Sequence, residues 1–300
     1  GGWTAVMDNA AALPGYLSLT STFDVASGSE VKYNFLTIFS TAAWGLGYFG
    51  MPHILVRFMA IEDEKKLVLS RRIASVWVVI AMTAGVLIGI VGLGMTKAGA
   101  LETLTGSNSE TIIVRIAGII SQHNALTALI AGIILAGILA ATMSTADSQM
   151  LAAASGVSQN IVHDFLKIKI SEKTNLLIAR LTIVGIAIVS IFLARNPDSS
   201  VFKIVSFAWA GFGGAFGAVV LCSLFWKRCN LAGAIAGIIS GGATVFIWKY
   251  LIRPLGGILD IYELLPAFIV SLIFIIVVSL LTKAPDEEIV REFEAAGKKA

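Results

Sequence analysis

The chain has 300 residues, of which 57% are hydrophobic and only 14% charged, with a mean hydropathy of +0.86 and a formal net charge of +3. Soluble globular domains carry about 25% charged residues, so the composition excludes an ordinary soluble domain. The charge-free apolar runs are long and unbroken, whereas a barrel strand alternates polar and apolar residues. The composition therefore predicts an all-α polytopic membrane protein.

Seven segments are long and apolar enough to cross the roughly 30 Å hydrocarbon core as helices, which takes about 20 residues. In chain order they are 33–56, 73–96, 124–148, 174–194, 204–226, 229–248 and 262–282. A polar stretch, 1–31, precedes the first segment, and a charged tail, 284–300, follows the last. We interpret 1–300 as a single transmembrane domain.

The basic residues indicate how these segments are oriented. If the loop 57–72 is cytoplasmic, fifteen of the 22 Lys and Arg residues lie in cytoplasmic segments and seven lie outside. This distribution satisfies the positive-inside rule, so we expect 1–31 on the extracellular or periplasmic side and 284–300 in the cytoplasm. The positive charge follows from membrane topology, and no basic face interleaved with aromatic residues predicts nucleic-acid binding.

A helix break is predicted in the first segment. Residues 44–53 read WGLGYFGMPH, with three glycines and a proline in ten residues. In a helix, Gly costs about 1 kcal/mol relative to Ala, and Pro costs about 3. In membranes such breaks persist where the freed backbone is buried in protein or lines a cavity, and secondary transporters place substrate sites at discontinuous helices.

The spacing of Trp44, Tyr48 and Pro52 adds to this interpretation. They are four residues apart and share one face on helical geometry, which places an aromatic pair beside the unwound stretch. The alternative is a kinked helix that packs closely through its glycines, with the two aromatic residues as interface anchors.

The third segment ends in a hydroxyl-rich cluster, ATMSTADSQM at 141–150. Ala141, Ser144 and Thr145 are spaced i, i+3 and i+4, so they face one direction. Two hydroxyls and a carbonyl freed by local bending would form an all-oxygen site without clustered carboxylates, which favours sodium over calcium or magnesium. Alternatively, both hydroxyls bond back to carbonyls of the preceding turn. Asp147 has three interpretations: a charge relay, a partner of a buried Arg, or an interfacial residue.

These motifs resemble the sodium/solute symporter family, and they occur in the family's order. The matching runs are WGLGYFGMP at 44–52, MSTADSQM at 143–150 and SFAWAGFGGAFG at 206–217. The resemblance covers essentially the whole chain and is closest to the proline-transporting members. It implies a LeuT-like inverted-repeat bundle, with the first segment as the sixth core helix and the third segment as the eighth. It also implies a C-terminal fragment that lacks the first core helices.

The resemblance assigns roles to individual residues. It implies that a co-transported sodium ion is bound by the carbonyl of Ala141 and the hydroxyls of Ser144 and Thr145. It implies a substrate site formed by Trp44, Tyr48 and Pro52. The candidates for gating or coupling are Arg57, Asp147 and Arg180. The absent N-terminal helices of the same protein would complete both sites.

The expected function is sodium-coupled symport of L-proline into the cell by alternating access, in the cell membrane and most simply a bacterial inner membrane. One alternative is a sodium symporter for another small solute, such as pantothenate, a monocarboxylate or a sugar. A second alternative is the sensory membrane input module of a signalling fusion. An enzyme is not expected, because the three His, two Cys and few intramembrane acids form no catalytic constellation.

Overall fold

The computed structural model describes residues 2–168, 170–195 and 200–297. Six helical stretches in these ranges are long and apolar enough to cross a membrane: Lys66–Lys97, Ala125–Phe165, Glu172–Leu193, Val201–Phe225, Leu231–Leu255 and Leu264–Leu281. In the same ranges the strands form one antiparallel hairpin, β1 (Ser21–Asp24) and β2 (Ser29–Lys32). The structure confirms the all-α polytopic membrane class, to which this short hairpin is a small exception.

The chain divides into two compact units. The first comprises the chain up to Leu13 and Ile61–Val201, and the second comprises Pro14–Ala60 and the chain from Phe202 onward. The first contains α1 (Trp3–Ala11), α5 (Lys66–Lys97), a 3₁₀ turn (Gly106–Thr111), α6 (Ile112–Ser121), α7 (Ala125–Ser155), a π-helix (Gly156–Phe165) and α8 (Glu172–Leu193).

In the first unit, α7 begins at a capping box. Asn124 Oδ1 accepts a hydrogen bond from the Thr127 backbone N–H, and Thr127 Oγ1 accepts one from the Asn124 backbone N–H, each at 3.0 Å. These two bonds satisfy donors that a helix start leaves without partners. The predicted segment 124–148 therefore starts where α7 starts, and the helical stretch continues to Phe165.

The second unit contains the remaining helices. They are α2 (Phe35–Ala42), α3 (Trp44–Gly47), a 3₁₀ turn (Tyr48–Gly50), α4 (Pro52–Met59), α9 (Val201–Phe212, whose first residue belongs to the first unit), a π-helix (Gly213–Gly217), α10 (Ala218–Phe225), α11 (Leu231–Ile247), a π-helix (Trp248–Ile252), 3₁₀ turns (Arg253–Leu255 and Gly257–Leu259), α12 (Leu264–Leu281) and α13 (Glu287–Gly297).

The predicted break in the first apolar segment is confirmed. Met51 is extended, with φ −85° and ψ 110°, and Pro52 is the first residue of α4. The ring of a proline clashes with a helical residue before it, and proline has no N–H to continue the helix. The segment 33–56 therefore forms several short helices, which is why the described residues contain six long helices where seven segments were predicted.

Helices α11 and α12 pack through a line of buried glycines. Gly233, Gly237 and Gly241 are four residues apart, as the sequence indicates, and a Cβ on any of the three would meet Ser271, Ile275 or Ser279 of α12. Ser271 on α12 donates a 3.0 Å hydrogen bond to the Gly237 carbonyl oxygen. In lipid the hydrophobic effect does not drive helices together, so their association depends on close packing. Small residues make that packing possible because they let the helix axes approach closely.

Replacing Gly241 tests this close approach. A Cβ at Gly241 would lie 2.0 Å from the Gly214 carbonyl oxygen, whereas one at Gly242 meets nothing nearer than 3.8 Å. We expect Gly241→Ala to lower the stability by about 1–3 kcal/mol, because backbone must move to admit the methyl group. Gly242→Ala is the matched control, and thermal unfolding in detergent is the measurement. Equal unfolding midpoints for the two variants would contradict this packing.

Candidate functional site

Trp44 lies at the centre of an aromatic cluster in the second unit. Its ring stacks on those of Phe202, Trp209 and Tyr262, with centroid distances of 5.4, 5.8 and 5.7 Å. Trp209 also presents an edge-to-face contact to Tyr48, with centroids 4.8 Å apart. Offset stacking and edge-to-face contacts are the favoured geometries of aromatic pairs. The cluster therefore fixes Trp44 in orientation and joins it to Tyr48 through Trp209.

The helix break is held against α9 and the π-helix that follows it. The Trp209 indole Nε1 donates a 3.0 Å hydrogen bond to the Trp44 carbonyl oxygen. A Cβ at Gly47 would lie 2.0 Å from that same Nε1, and a Cβ at Gly50 would lie 2.3 Å from the Phe212 carbonyl oxygen. Glycine at both positions is what lets the broken stretch approach Trp209 and the neighbouring backbone.

An open cavity of about 750 Å³ adjoins the aromatic cluster, within the size range of small-molecule sites. Its lining combines aromatic rings, hydroxyls and charged groups: Ser40, Thr41, Trp44, Phe202, Lys203, Ser206, Lys249, Arg253, Pro254, Gly256, Asp260 and Tyr262. Of the three predicted substrate residues, Trp44 lines this cavity.

The predicted substrate residues are only partly brought together. Trp44 and Tyr48 both contact the ring of Trp209. The expectation that Pro52 shares their face on helical geometry does not apply, because the extended Met51 interrupts the helix and Pro52 starts a new one. Helical spacing no longer relates side chains across such an interruption.

The predicted sodium residues lie in α7, in the first unit. Ser144 Oγ donates to the Ala141 carbonyl oxygen at 3.0 Å, and Thr145 Oγ1 donates to the same oxygen at 3.4 Å. The three oxygens thus converge, through the back-bonding that was the alternative interpretation. The α-helix runs without interruption through these residues.

Back-bonding does not remove the capacity of these oxygens to bind a cation. A hydroxyl that donates its hydrogen keeps both oxygen lone pairs, and a carbonyl oxygen has two. Ala141, Ser144 and Thr145 are also exposed on the surface of this chain. The residues therefore fit a hard, uncharged oxygen patch of the kind that a sodium ion accepts.

The candidates for gating or coupling are all exposed. Arg57 lies in the last turn of α4, Asp147 lies on α7 beside the hydroxyl cluster, and Arg180 lies on α8. Within the described ranges, no hydrogen bond or ion pair joins any of their side chains to another residue. The pairing of Asp147 with a buried Arg is therefore not seen there.

Sequence reasoning missed three residues that shape this region. Trp209 was included in the run 206–217 but was given no role, and neither Tyr262 nor Glu263 was singled out. Glu263 is fully buried, and it accepts hydrogen bonds from Lys249 at 3.0 Å and Arg253 at 2.8 Å. The sequence did contain a signal for Glu263: it is an acid at the edge of an apolar segment, and two basic residues precede it.

Comparison with known proteins gives a consistent result. The model of the sodium:solute symporter family matches residues 3–241. The sodium/proline symporter of Escherichia coli is 40% identical over 88% of this chain and 51% of its own length. The osmoregulated proline transporter OpuE of Bacillus subtilis is 40% identical over 90% of this chain and 52% of its own length.

A third relative, the sodium/proline symporter of Haemophilus influenzae, is 39% identical over 88% of this chain and 51% of its own length. The chain thus spans about half the length of the curated relatives it matches. No solved structure matched the chain. The family match extends over most of the sequence and includes both the broken segment and the hydroxyl cluster. The chain therefore belongs to the sodium:solute symporter family.

Proposed function

We propose that the full-length protein imports L-proline together with sodium by alternating access, as a transporter rather than an enzyme. The observation that carries the proposal is the convergence of two hydroxyls on the Ala141 carbonyl in a chain of this family. The relatives that match it over about nine-tenths of its length are named as sodium/proline symporters and proline transporters.

Sodium is the cargo ion that best suits the cluster. Ser144 and Thr145 supply neutral hydroxyl oxygens, and Ala141 supplies a carbonyl oxygen. A monovalent ion needs less ligand charge than a divalent one, and oxygen ligands without clustered carboxylates disfavour calcium and magnesium. The ion would sit against one turn of α7, with further ligands from other segments of the full-length protein.

Proline suits the broken segment for a different reason. Its apolar ring suits the exposed ring of Tyr48 and the part of the Trp44 indole that lines the cavity, while its charged groups need polar partners that hydrocarbon does not offer. The interruption at Met51 supplies backbone polar groups outside the regular helix ladder. Discontinuous helices of this kind form the substrate sites of secondary transporters.

Coupling to sodium makes accumulation of proline possible. Moving one positive charge inward across about 100 mV supplies about 2.3 kcal/mol. That free energy supports a roughly fifty-fold accumulation of a neutral solute. Sodium binding must therefore favour the conformation in which the substrate site is formed, since an ion shifts an equilibrium only by its differential affinity for the two states.

Removal of either hydroxyl tests the sodium site. We expect Ser144→Ala or Thr145→Ala to raise the sodium concentration for half-maximal proline uptake by about tenfold, because a polar contact to a charged group is lost. Thr142→Ala is the matched control, since its hydroxyl back-bonds to the Ile138 carbonyl oxygen at 3.0 Å on the same helix. Wild-type sodium dependence in both site variants would show that the assignment is wrong.

Glycine substitutions test the broken segment. We expect Gly47→Ala to raise the KM for proline about tenfold or more, because its methyl group displaces Trp209 and with it Trp44 and Tyr48. Gly45→Ala is the matched control, because a Cβ there meets no atom within 4 Å. Uptake by the full-length protein in vesicles measures both, and a similar KM in the two variants would contradict the role of this contact.

A further inference from the structure

Tyr262 joins two other segments of the second unit to Trp44. Its ring stacks on the Trp44 indole with centroids 5.7 Å apart and an interplanar angle of 16°. Its backbone N–H donates to Ser40 Oγ at 3.0 Å, and its hydroxyl donates to the Ser206 carbonyl oxygen at 2.6 Å. Only 6% of the residue is exposed. Two directional hydrogen bonds therefore set the position of the ring that covers Trp44.

The next residue anchors Tyr262 to the segment that follows α11. Glu263 is fully buried, and its two carboxylate oxygens accept from Lys249 Nζ at 3.0 Å and Arg253 Nη1 at 2.8 Å. Arg253 Nε also donates to Asp260 Oδ1 at 2.7 Å. A buried carboxylate is tolerated only when it is paired in this way. The backbone at Glu263 must therefore stay where both basic side chains reach the carboxylate. That position fixes the adjacent Tyr262.

The stacked pair is accessible from the open cavity. Trp44 and Tyr262 both line the cavity of about 750 Å³, whereas Glu263 lies behind its wall. A solute that reaches Trp44 through the cavity therefore meets an indole whose orientation Tyr262 helps to define. Tyr262 lies beyond residues 3–241, which the family model matches, whereas Trp44 and Trp209 lie within them.

We propose that Tyr262 is a positioning residue of the substrate site, which holds the Trp44 indole in the orientation that receives proline. The inference rests on the proposed function and adds to it a residue from the connection between the last two long helices. An aromatic pair changes an affinity by roughly two- to twelvefold, so loss of the Tyr262 ring has a measurable effect on substrate binding.

The test compares ring removal with hydroxyl removal in the full-length protein. In vesicles, we expect Tyr262→Leu to raise the KM for proline about fivefold, with an unchanged maximal rate and unchanged sodium half-saturation at saturating proline. Tyr262→Phe keeps the ring but loses the hydrogen bond to the Ser206 carbonyl oxygen, so we expect a smaller rise in KM than in Tyr262→Leu. Tyr33→Leu is the control, because Tyr33 is 41% exposed and makes no ring contact with the described residues.

A second readout does not depend on transport. Acrylamide quenching of Trp44 fluorescence, taken as the difference between each protein and its Trp44→Phe counterpart, is expected to increase in Tyr262→Leu and to increase less in Tyr262→Phe, which keeps the ring. If Tyr262→Leu does not reach the membrane, Tyr262→His replaces it, with a smaller rise in both quantities because a smaller ring remains.

The outcomes separate this inference from the function on which it rests. Absence of sodium-driven proline uptake by the wild-type protein would overturn the proposed function, while the quenching comparison still decides whether Tyr262 orients Trp44. With wild-type uptake intact, an unchanged KM in the ring-removing variant overturns the positioning role. A rise in the sodium half-saturation of similar size also overturns it, because it indicates general damage rather than a substrate-specific effect.

Discussion

The Trp209 indole occupies the space that Gly47 leaves open, and its Nε1 donates to the Trp44 carbonyl oxygen at 3.0 Å. Most of the candidate substrate site depends on this close contact between the Trp209 ring and the helix backbone at Gly47, which has no side chain. The same ring contacts Trp44 and Tyr48, the two aromatic residues of the broken segment. A bulkier residue at position 47 would therefore disturb both contacts at once, because closely packed groups cannot move independently.

Charge and aromatic packing support each other in the segment between α11 and α12. Glu263 is buried because Lys249 and Arg253 pair with its two oxygens, and this arrangement places Tyr262 on Trp44. Removing one partner of such a cluster leaves an uncompensated buried charge, which is far more costly than removing an exposed ion pair. The exposed pair Lys283 and Asp286, in contrast, contributes little, since both side chains are mostly in solvent.

Some of this organisation follows from the sequence because it depends on local chemistry. The break before Pro52 follows from the ring and missing N–H of proline. The convergence of Ser144 and Thr145 on Ala141 follows from helical spacing. The assignment of these three residues and of Trp44, Tyr48 and Pro52 to binding sites stays a prediction.

Other features depend on contacts between residues that are far apart in sequence. Trp209 lies 165 positions from Trp44, and the Tyr262 backbone N–H bonds to Ser40 across 222 positions. Local pattern cannot specify such pairings, because many aromatic residues in an apolar chain have the same local signature. The separation of Pro52 from the face of Trp44 was missed for a related reason: helical geometry was extended across a residue, Met51, that is not helical.

The central claim is that sodium drives proline uptake through the full-length protein. The most direct measurement is uptake of radiolabelled L-proline by membrane vesicles containing that protein, under an inward sodium gradient and under an equal potassium gradient. We expect accumulation above equilibrium with sodium and only equilibration with potassium, and a further increase when the vesicle interior is made negative. Equal accumulation under the two gradients, or none with sodium, would contradict it.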